Sequence, residues 1–307
     1  MMKFNPDRTY SFECLKDDLS YLATQYVNEV RLETIGYSVA KREILAVKIG
    51  TGEKIILCHG AHHAREWMTT TLLVDFIFRI LQDNSWPWLT IRKDWLKLVS
   101  FWFIPMVNPD GVTLAQEGLN SFDNAETLLK WNKGSTDFTG WKANNRGVDL
   151  NRQYPTDWKS IDGSPSTPSS SHFKGYKPLS EPEVQAVYHF VKKRNIDVAI
   201  AYHSSGEEIF WRYRLNEEIA EKQLRPLAEA LADTTGYRLI NPSDNPSGGG
   251  FTDWFLTTYK KPSFTIEIAP SVGPQPVPLH LYKQIFQANE LVLYTIAEHL
   301  IRKRMDN

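Results

Sequence analysis

The chain has 307 residues with a formal net charge of -1, is 42% hydrophobic and 23% charged, and carries two cysteines. A near-neutral chain without a basic stripe excludes a polyanion-binding protein, and so few cysteines exclude a disulfide framework. No apolar run is long enough to span a bilayer, and residues 1–8 lack the apolar segment and cleavage site of a secretory signal, so a cytoplasmic protein with no membrane or nucleic-acid partner is expected. This length fits one domain spanning residues 1–307.

Residues 11–26, where Leu15, Leu19 and Leu22 alternate with Lys16, Asp17 and Asp18, predict an amphipathic helix. β-type stretches follow at 30–35 and 44–49. The run Ile55-Ile56-Leu57-Cys58 predicts a buried strand, with Cys58 as a free buried thiol. It ends in a glycine-broken loop containing His59, His62 and His63, and a helix is expected over 68–82. Zinc takes imidazole nitrogen and carboxylate oxygen, so His63 and Glu66 are candidate ligands, and a catalytic site needs a third. His59 and His62 compete with His63, but neighbours in an extended segment face opposite ways, so His62 and His63 cannot easily reach one metal.

Residues 98–107 are almost wholly apolar, as in a strand covered on both faces, and end in Asn108-Pro109-Asp110-Gly111, a turn signal. Strands alternating with helices predict an α/β fold, a mixed, mostly parallel twisted sheet with helices on both faces. The segment 122–177 is rich in Ser, Gly and Pro, and its interleaved Trp131, Trp141, Tyr154 and Trp158 suggest a binding rim. Ser180 as N-cap and Glu183 three residues on read as a capping box, opening a helix with Val184, Val187 and Val191 inward.

The next buried strand, 197–202, runs into His203, repeating the placement of His63. In open α/β sheets ligands collect at the carboxyl ends of strands, where two such histidines could share a metal. Helices are expected over 216–235, then a flexible loop at Pro246-Ser247-Gly248-Gly249-Gly250. In the last strand, 263–268, Phe264, Ile266 and Ile268 point one way and Thr265 and Glu267 the other. A carboxylate inside such a strand is paired, bound to metal or functional. An amphipathic stretch over 278–302 closes the chain.

Seven segments taken together are specific: His63-Ala64-Arg65-Glu66-Trp67, Asn108-Pro109-Asp110-Gly111, Gly147-Val148-Asp149-Leu150-Asn151-Arg152, Ser180-Glu181-Pro182-Glu183, His203-Ser204, Gly249-Gly250-Phe251-Thr252-Asp253-Trp254 and Phe264-Thr265-Ile266-Glu267. In this order they make the chain resemble the zinc carboxypeptidases of the carboxypeptidase A superfamily. The resemblance implies one zinc ion per chain held by His63, Glu66 and His203, with Asp149 fixing the His63 tautomer; the residue-level alternative is that Asp149 caps a turn. It implies Glu267 as general base, the alternative being a buried Glu paired to an arginine. The cation at the scissile carbonyl is Lys142 if the tryptophans align, or Arg146 if residue type is kept. Asn151 and Arg152 match the pair that grips the terminal carboxylate of the substrate.

Three departures bear on substrate. Segment 244–247 supplies no tyrosine where the family has one. Thr252, at the specificity-pocket base, supports neither an apolar nor a basic preference. Arg214 stands where the digestive enzymes have glycine, unless it is simply a solvated surface residue. With Arg152, Arg214 would suit a residue carrying two carboxylates, such as meso-diaminopimelate. The sequence Trp-Lys-Ala-Asn-Asn-Arg-Gly-Val-Asp-Leu-Asn at 141–151 resembles the bacterial γ-D-glutamyl-diaminopimelate peptidases. The expected reaction is therefore hydrolysis of the γ-D-glutamyl-diaminopimelate amide in muropeptides, a zinc-bound water being activated by Glu267. The alternatives are a general metallocarboxypeptidase, an amidase on non-peptide amides, or an inactive zinc-binding recognition module.

Overall fold

Period-two alternation in the central strands decides which layer lies on which side. The computed structural model describes residues 4–215, 217–241 and 248–305. The first half contains α1 (Phe12–Gln25), β1 (Val30–Tyr37), β2 (Glu43–Ile49), β3 (Lys54–His59), α2 (Met68–Gln82), β4 (Val99–Ile104) and α3 (Pro109–Glu117). The second contains α4 (Pro182–Lys192), β5 (Val198–Ser204), β6 (Glu208–Phe210), α5 (Arg225–Thr235), β7 (Arg238–Ile240), α6 (Phe251–Tyr259), β8 (Ser263–Ile268), α7 (Tyr282–Asn289) and α8 (Val292–Met305).

Among the described residues the strands form one sheet in the order β1-β2-β4-β3-β5-β8-β6-β7. The central four, β4, β3, β5 and β8, are mutually parallel. Antiparallel pairs flank them, β1 with β2, β2 with β4 and β6 with β8, so the sheet is mixed with a parallel middle. Ile56, Cys58, Phe101, Phe103, Val198, Ile200, Tyr202, Phe264, Ile266 and Ile268 enter one core with α1, α2, α5, α7 and α8. Their neighbours Leu57, Trp102, Ile104, Ala199 and Ala201 enter a second core with α4 and α6. Each large apolar side chain so buried contributes about 1.5–3 kcal/mol relative to exposure. On that second face the alternation continues from Leu57 to His59, from Ala201 to His203, and from Thr265 to Glu267. This is how a hydrophobic sheet delivers polar groups to the carboxyl ends of its strands. No helix among the described residues is long and apolar enough to cross a membrane.

Three local expectations are corrected. Residues 108–111 do not form a free turn: Pro109 opens α3, and the Asn108 side chain caps it, accepting from the Gly111 N–H at 3.0 Å. Proline at the first helical position lacks only an N–H that would have no intrahelical partner, which favours the helix. At α4 the N-cap is Glu181, not Ser180, because Pro182 takes the first helical position, and the Ser180 hydroxyl lies 2.7 Å from Glu181 Oε1 and 3.0 Å from Gln153 Oε1 instead. Glu183 is buried and accepts from the Val39 N–H at 3.2 Å and from Asn144 at 3.3 Å. In the long segment, Trp141 and Tyr154 are buried, so only Trp131 and Trp158 keep part of the exposure expected of a rim. A loop of that length is ordered by burying its own aromatics. Residue 216 and residues 242–247, including Pro246 and Ser247 of the expected loop and the segment lacking the family tyrosine, lie outside the described residues.

Candidate metal centre and cleft

After β3 the chain is stitched to the end of β4, with Gly60 N–H bonded to Ile104 and Asn108 N–H to Ala61. A single 3-10 turn, Ala64–Glu66, then brings two side chains three residues apart into contact, His63 Nδ1 lying 2.8 Å from Glu66 Oε1. From the end of β5, His203 Nδ1 lies 2.8 Å from the other Glu66 oxygen and 3.1 Å from His63 Nδ1. All three residues are buried, and one donor atom from each falls within 4.8 Å of the others.

The donor set fits a metal. His63 Nε2 lies 3.1 Å from Asp149 Oδ1. Burial pushes the Asp149 carboxyl up, but Lys142, His63 and Arg152 outweigh it and hold it well below the usual carboxylate range. A carboxylate only accepts, so the His63 proton sits on Nε2 and its Nδ1 presents a lone pair to Glu66. The two Glu66 oxygens each face one imidazole nitrogen, Oε1 that of His63 and Oε2 that of His203. Two imidazole nitrogens and a carboxylate thus converge lone pair to lone pair. Such a set is stable around a cation, and its His, His, Glu composition is that of three-ligand catalytic zinc sites.

Glu267 stands opposite His203 in the β5–β8 register, and its carboxylate makes no hydrogen bond or ion pair with a described residue. Burial pushes its carboxyl up to about 7, helped by Glu66 and Glu208 and opposed by His203 and Lys142. Lys142 Nζ lies 3.3 Å from Asp149 Oδ2 and makes no hydrogen bond to a described residue.

A family profile described as zinc carboxypeptidase matches residues 15–290. The chain belongs to the zinc carboxypeptidase family. It is 31% identical over 289 residues to gamma-D-glutamyl-L-diamino acid endopeptidase 1 of Lysinibacillus sphaericus, covering 92% of this chain and 71% of that protein. It is 28% identical over 269 residues to carboxypeptidase O of Bos taurus, covering 81% and 67%. Among solved structures, thrombin activatable fibrinolysis inhibitor superposes with a TM-score of 0.79 at 22% identity, covering 97% of this chain and 78% of that one, a likeness of fold. This zinc carboxypeptidase family member is a metallopeptidase.

The remaining candidates separate clearly. Arg146 is exposed and turned away, its nearest carboxylate oxygen being on Glu181 at 3.8 Å, so of the two cations the fold brings Lys142 to the centre. Asn151 N–H donates to Asp149 Oδ1 at 3.0 Å and its side-chain oxygen accepts from Phe251 N–H at 3.0 Å, which ties the Asn151-Arg152 pair to the first turn of α6. Arg152 donates to the Asn151 carbonyl at 2.9 Å. Arg214 Nε lies 3.3 Å from Asp157 Oδ2, an oxygen that also accepts from Tyr213 Oη at 2.8 Å. A Cβ on Gly248 would come within 2.9 Å of that hydroxyl, and one on Gly249 within 3.1 Å of the Arg152 carbonyl, so both positions leave no room for a side chain. The Thr252 hydroxyl is taken up by Thr265 at 2.7 Å, on the strand that carries Glu267.

Some residues escaped the sequence reading. His172, at φ 63, places Nδ1 4.0 Å from Asp149 Oδ2 with its side chain 58% exposed, and nothing in the pattern Ser-His-Phe marks it. Asn144 knits the 142–149 loop together, accepting from the Arg146 and Val148 N–H groups and donating to Glu181 at 2.8 Å. His62 does not compete for metal: its Nε2 lies 2.9 Å from Tyr154 Oη.

Proposed function

We propose that this metallopeptidase hydrolyses the amide between γ-D-glutamate and meso-diaminopimelate in cell-wall muropeptides, with one zinc ion held by His63, Glu66 and His203. The observation that carries the chemistry is the position of Glu267, unpaired and in register beside His203. A zinc ion bound there supplies Lewis acidity and lowers the pKa of water. Glu267 takes the proton of the attacking water and delivers it to the leaving amine. Asp149 holds His63 in its tautomer. Lys142, with free N–H groups, donates to the oxygen that becomes negative at the scissile carbonyl. Asn151 and Arg152 bind the carboxylate of the leaving residue, the planar guanidinium offering two parallel donors. Thr252 lines the base of the cleft through Thr265.

The substrate assignment is supported by the relative named as a gamma-D-glutamyl-L-diamino acid endopeptidase, and the part-exposed Arg214 guanidinium is the cation proposed for a second carboxylate. The similarity to carboxypeptidase O favours a second reading, removal of C-terminal residues from ordinary peptides by the same residues.

The deciding experiment compares zinc-dependent hydrolysis of L-Ala-γ-D-Glu-meso-diaminopimelate and of an acyl-dipeptide, with Glu267→Gln as control. Cleavage of the muropeptide alone, lost in the variant, supports the proposal. Cleavage of the dipeptide alone transfers the mechanism to the second reading, and no cleavage of either overturns both substrate readings.

A further inference from the structure

A metal-binding histidine needs a hydrogen-bond partner for the ring nitrogen that faces away from the metal, because that bond sets the tautomer and the ring orientation. Asp149 is that partner for His63. His203 has no such group: its Nδ1 is turned to Glu66, and its Nε2 is buried without a partner among the described residues. What stands behind it is a pair of histidines with the complementary deficiency.

His59 pairs with Ala201 across β3 and β5, two residues before His203, so His59 and His203 project from the same face as diagonal neighbours. The His62 ring centroid is 5.9 Å from that of His203 and 4.9 Å from that of His59. All three residues are at most 1% exposed. Both nitrogens of His59, Nδ1 of His62 and Nε2 of His203 are buried and unpartnered. Phe251 closes the far side, 4.1 Å from His59 centroid to centroid. Buried polar atoms without partners cost about 1–3 kcal/mol each, so four of them gathered behind one proposed ligand call for a shared partner.

We propose that one buried water joins His203 Nε2 to His59 and His62, making His59 and His62 positioning residues that hold the His203 Nδ1 lone pair towards the metal. One water satisfies three of these four nitrogens, leaving the second nitrogen of His59. In this arrangement Tyr154 Oη, 2.9 Å from His62 Nε2, is the donor, which puts the His62 proton on Nδ1. The water accepts from His62 Nδ1–H and from His203 Nε2–H and donates to His59, three bonds, the usual number for an internal water. His63 is thus oriented by a carboxylate and His203 by a neutral relay. The inference rests on the metal reading of His63, Glu66 and His203.

The test is the zinc dissociation constant, by chelator competition, of the unsubstituted protein, His59→Leu, His59→Gln and His62→Leu, alongside thermal unfolding of each metal-free form. The two leucine variants should bind zinc about 10- to 100-fold more weakly, the usual cost of removing such an outer partner. Their metal-free forms should melt no lower than the unsubstituted protein, and His59→Gln should recover most of the affinity. Unchanged affinity in both leucine variants, or a loss matched by metal-free destabilisation and not rescued by glutamine, overturns the proposal. No zinc binding by the unsubstituted protein overturns the metal reading and this inference with it. If so buried a substitution prevents folding, a crystal structure of the zinc-loaded unsubstituted protein decides: a water within hydrogen-bond distance of His203 Nε2 and His59 supports the relay, and a dry contact overturns it.

Discussion

His203 and Glu267 face each other in register across the parallel pair β5 and β8. The ladder that aligns Ala199 with Ser263 and Ala201 with Thr265 therefore also sets the third proposed ligand beside the proposed base, on the rigid centre of the sheet. Glu267→Gln preserves this geometry and removes only the basic oxygen. Its kcat should fall by about 10²–10⁴, the range for positioned general bases, while zinc stoichiometry stays unchanged. A variant that retains activity would rule out Glu267 as the base.

Lys142 and Arg146 make opposite predictions. Lys142→Ala removes the only cation the 142–146 stretch presents to the centre, and kcat should fall about 10²–10³-fold, as for a lost oxyanion donor. It also leaves Asp149 without its 3.3 Å partner, so the melting temperature should drop as well. Arg146→Ala touches an exposed side chain with a 3.8 Å contact and should change stability by less than about 0.5 kcal/mol, with kcat unaffected. Steady-state kinetics on both variants check this, and equal losses would reopen the assignment.

Metal removal should destabilise the protein. The converging lone pairs of His63, Glu66 and His203 repel in the metal-free form, and a ligand that binds only the folded chain stabilises it by about 2.7 kcal/mol at a hundredfold excess over its dissociation constant. A chelator should lower the melting temperature, and zinc should restore it. Identical melting curves with and without zinc would argue against a bound ion.

How far the sequence announces this site depends on whether a residue's role is local. β3, β5 and β8 were legible because buried parallel strands leave continuous apolar runs, and their alternation placed Glu267 on the face away from Phe264, Ile266 and Ile268. Asn108 and Ser180 were misread because caps, turns and the residues just before a cap share residue types, and only tertiary contacts select between them. Whether Lys142 or Arg146 reaches the centre was not legible, since it depends on the Ser170 carbonyl accepting from both Lys142 and Ala143 across the long segment. His172 depends on a positive φ, which no side-chain pattern encodes.

Arg214 tests the substrate. Its pair with Asp157 is part-exposed on both sides, 45% and 38%, and such pairs contribute about 0–1 kcal/mol, so a substrate carboxylate can compete for the guanidinium. Arg214→Ala should raise KM for a diaminopimelate peptide about tenfold, the lower range for a hydrogen bond to a charged group, and leave KM for an acyl-dipeptide unchanged. Equal KM values for the variant and the unsubstituted protein on the diaminopimelate peptide would remove Arg214 from the pocket.

Glu183 should impose a pH dependence on stability that is separate from the metal centre. Burial, then Asp110 and Glu181, push its carboxyl up to about 8, against the N–H of Val39. An unfolded glutamate titrates near about 4.3. Between those values the folded chain keeps a proton that the unfolded chain has lost, so stability falls as pH rises. The contribution is complete below the unfolded value and is lost through about pH 8. Glu183→Gln offers one acceptor and one donor, as the protonated carboxyl does, but cannot ionise. Denaturant unfolding at pH 5.5 and 8.5 should therefore show a smaller loss of stability in the variant than in the unsubstituted protein, and equal losses would mean that Glu183 is ionised in the fold.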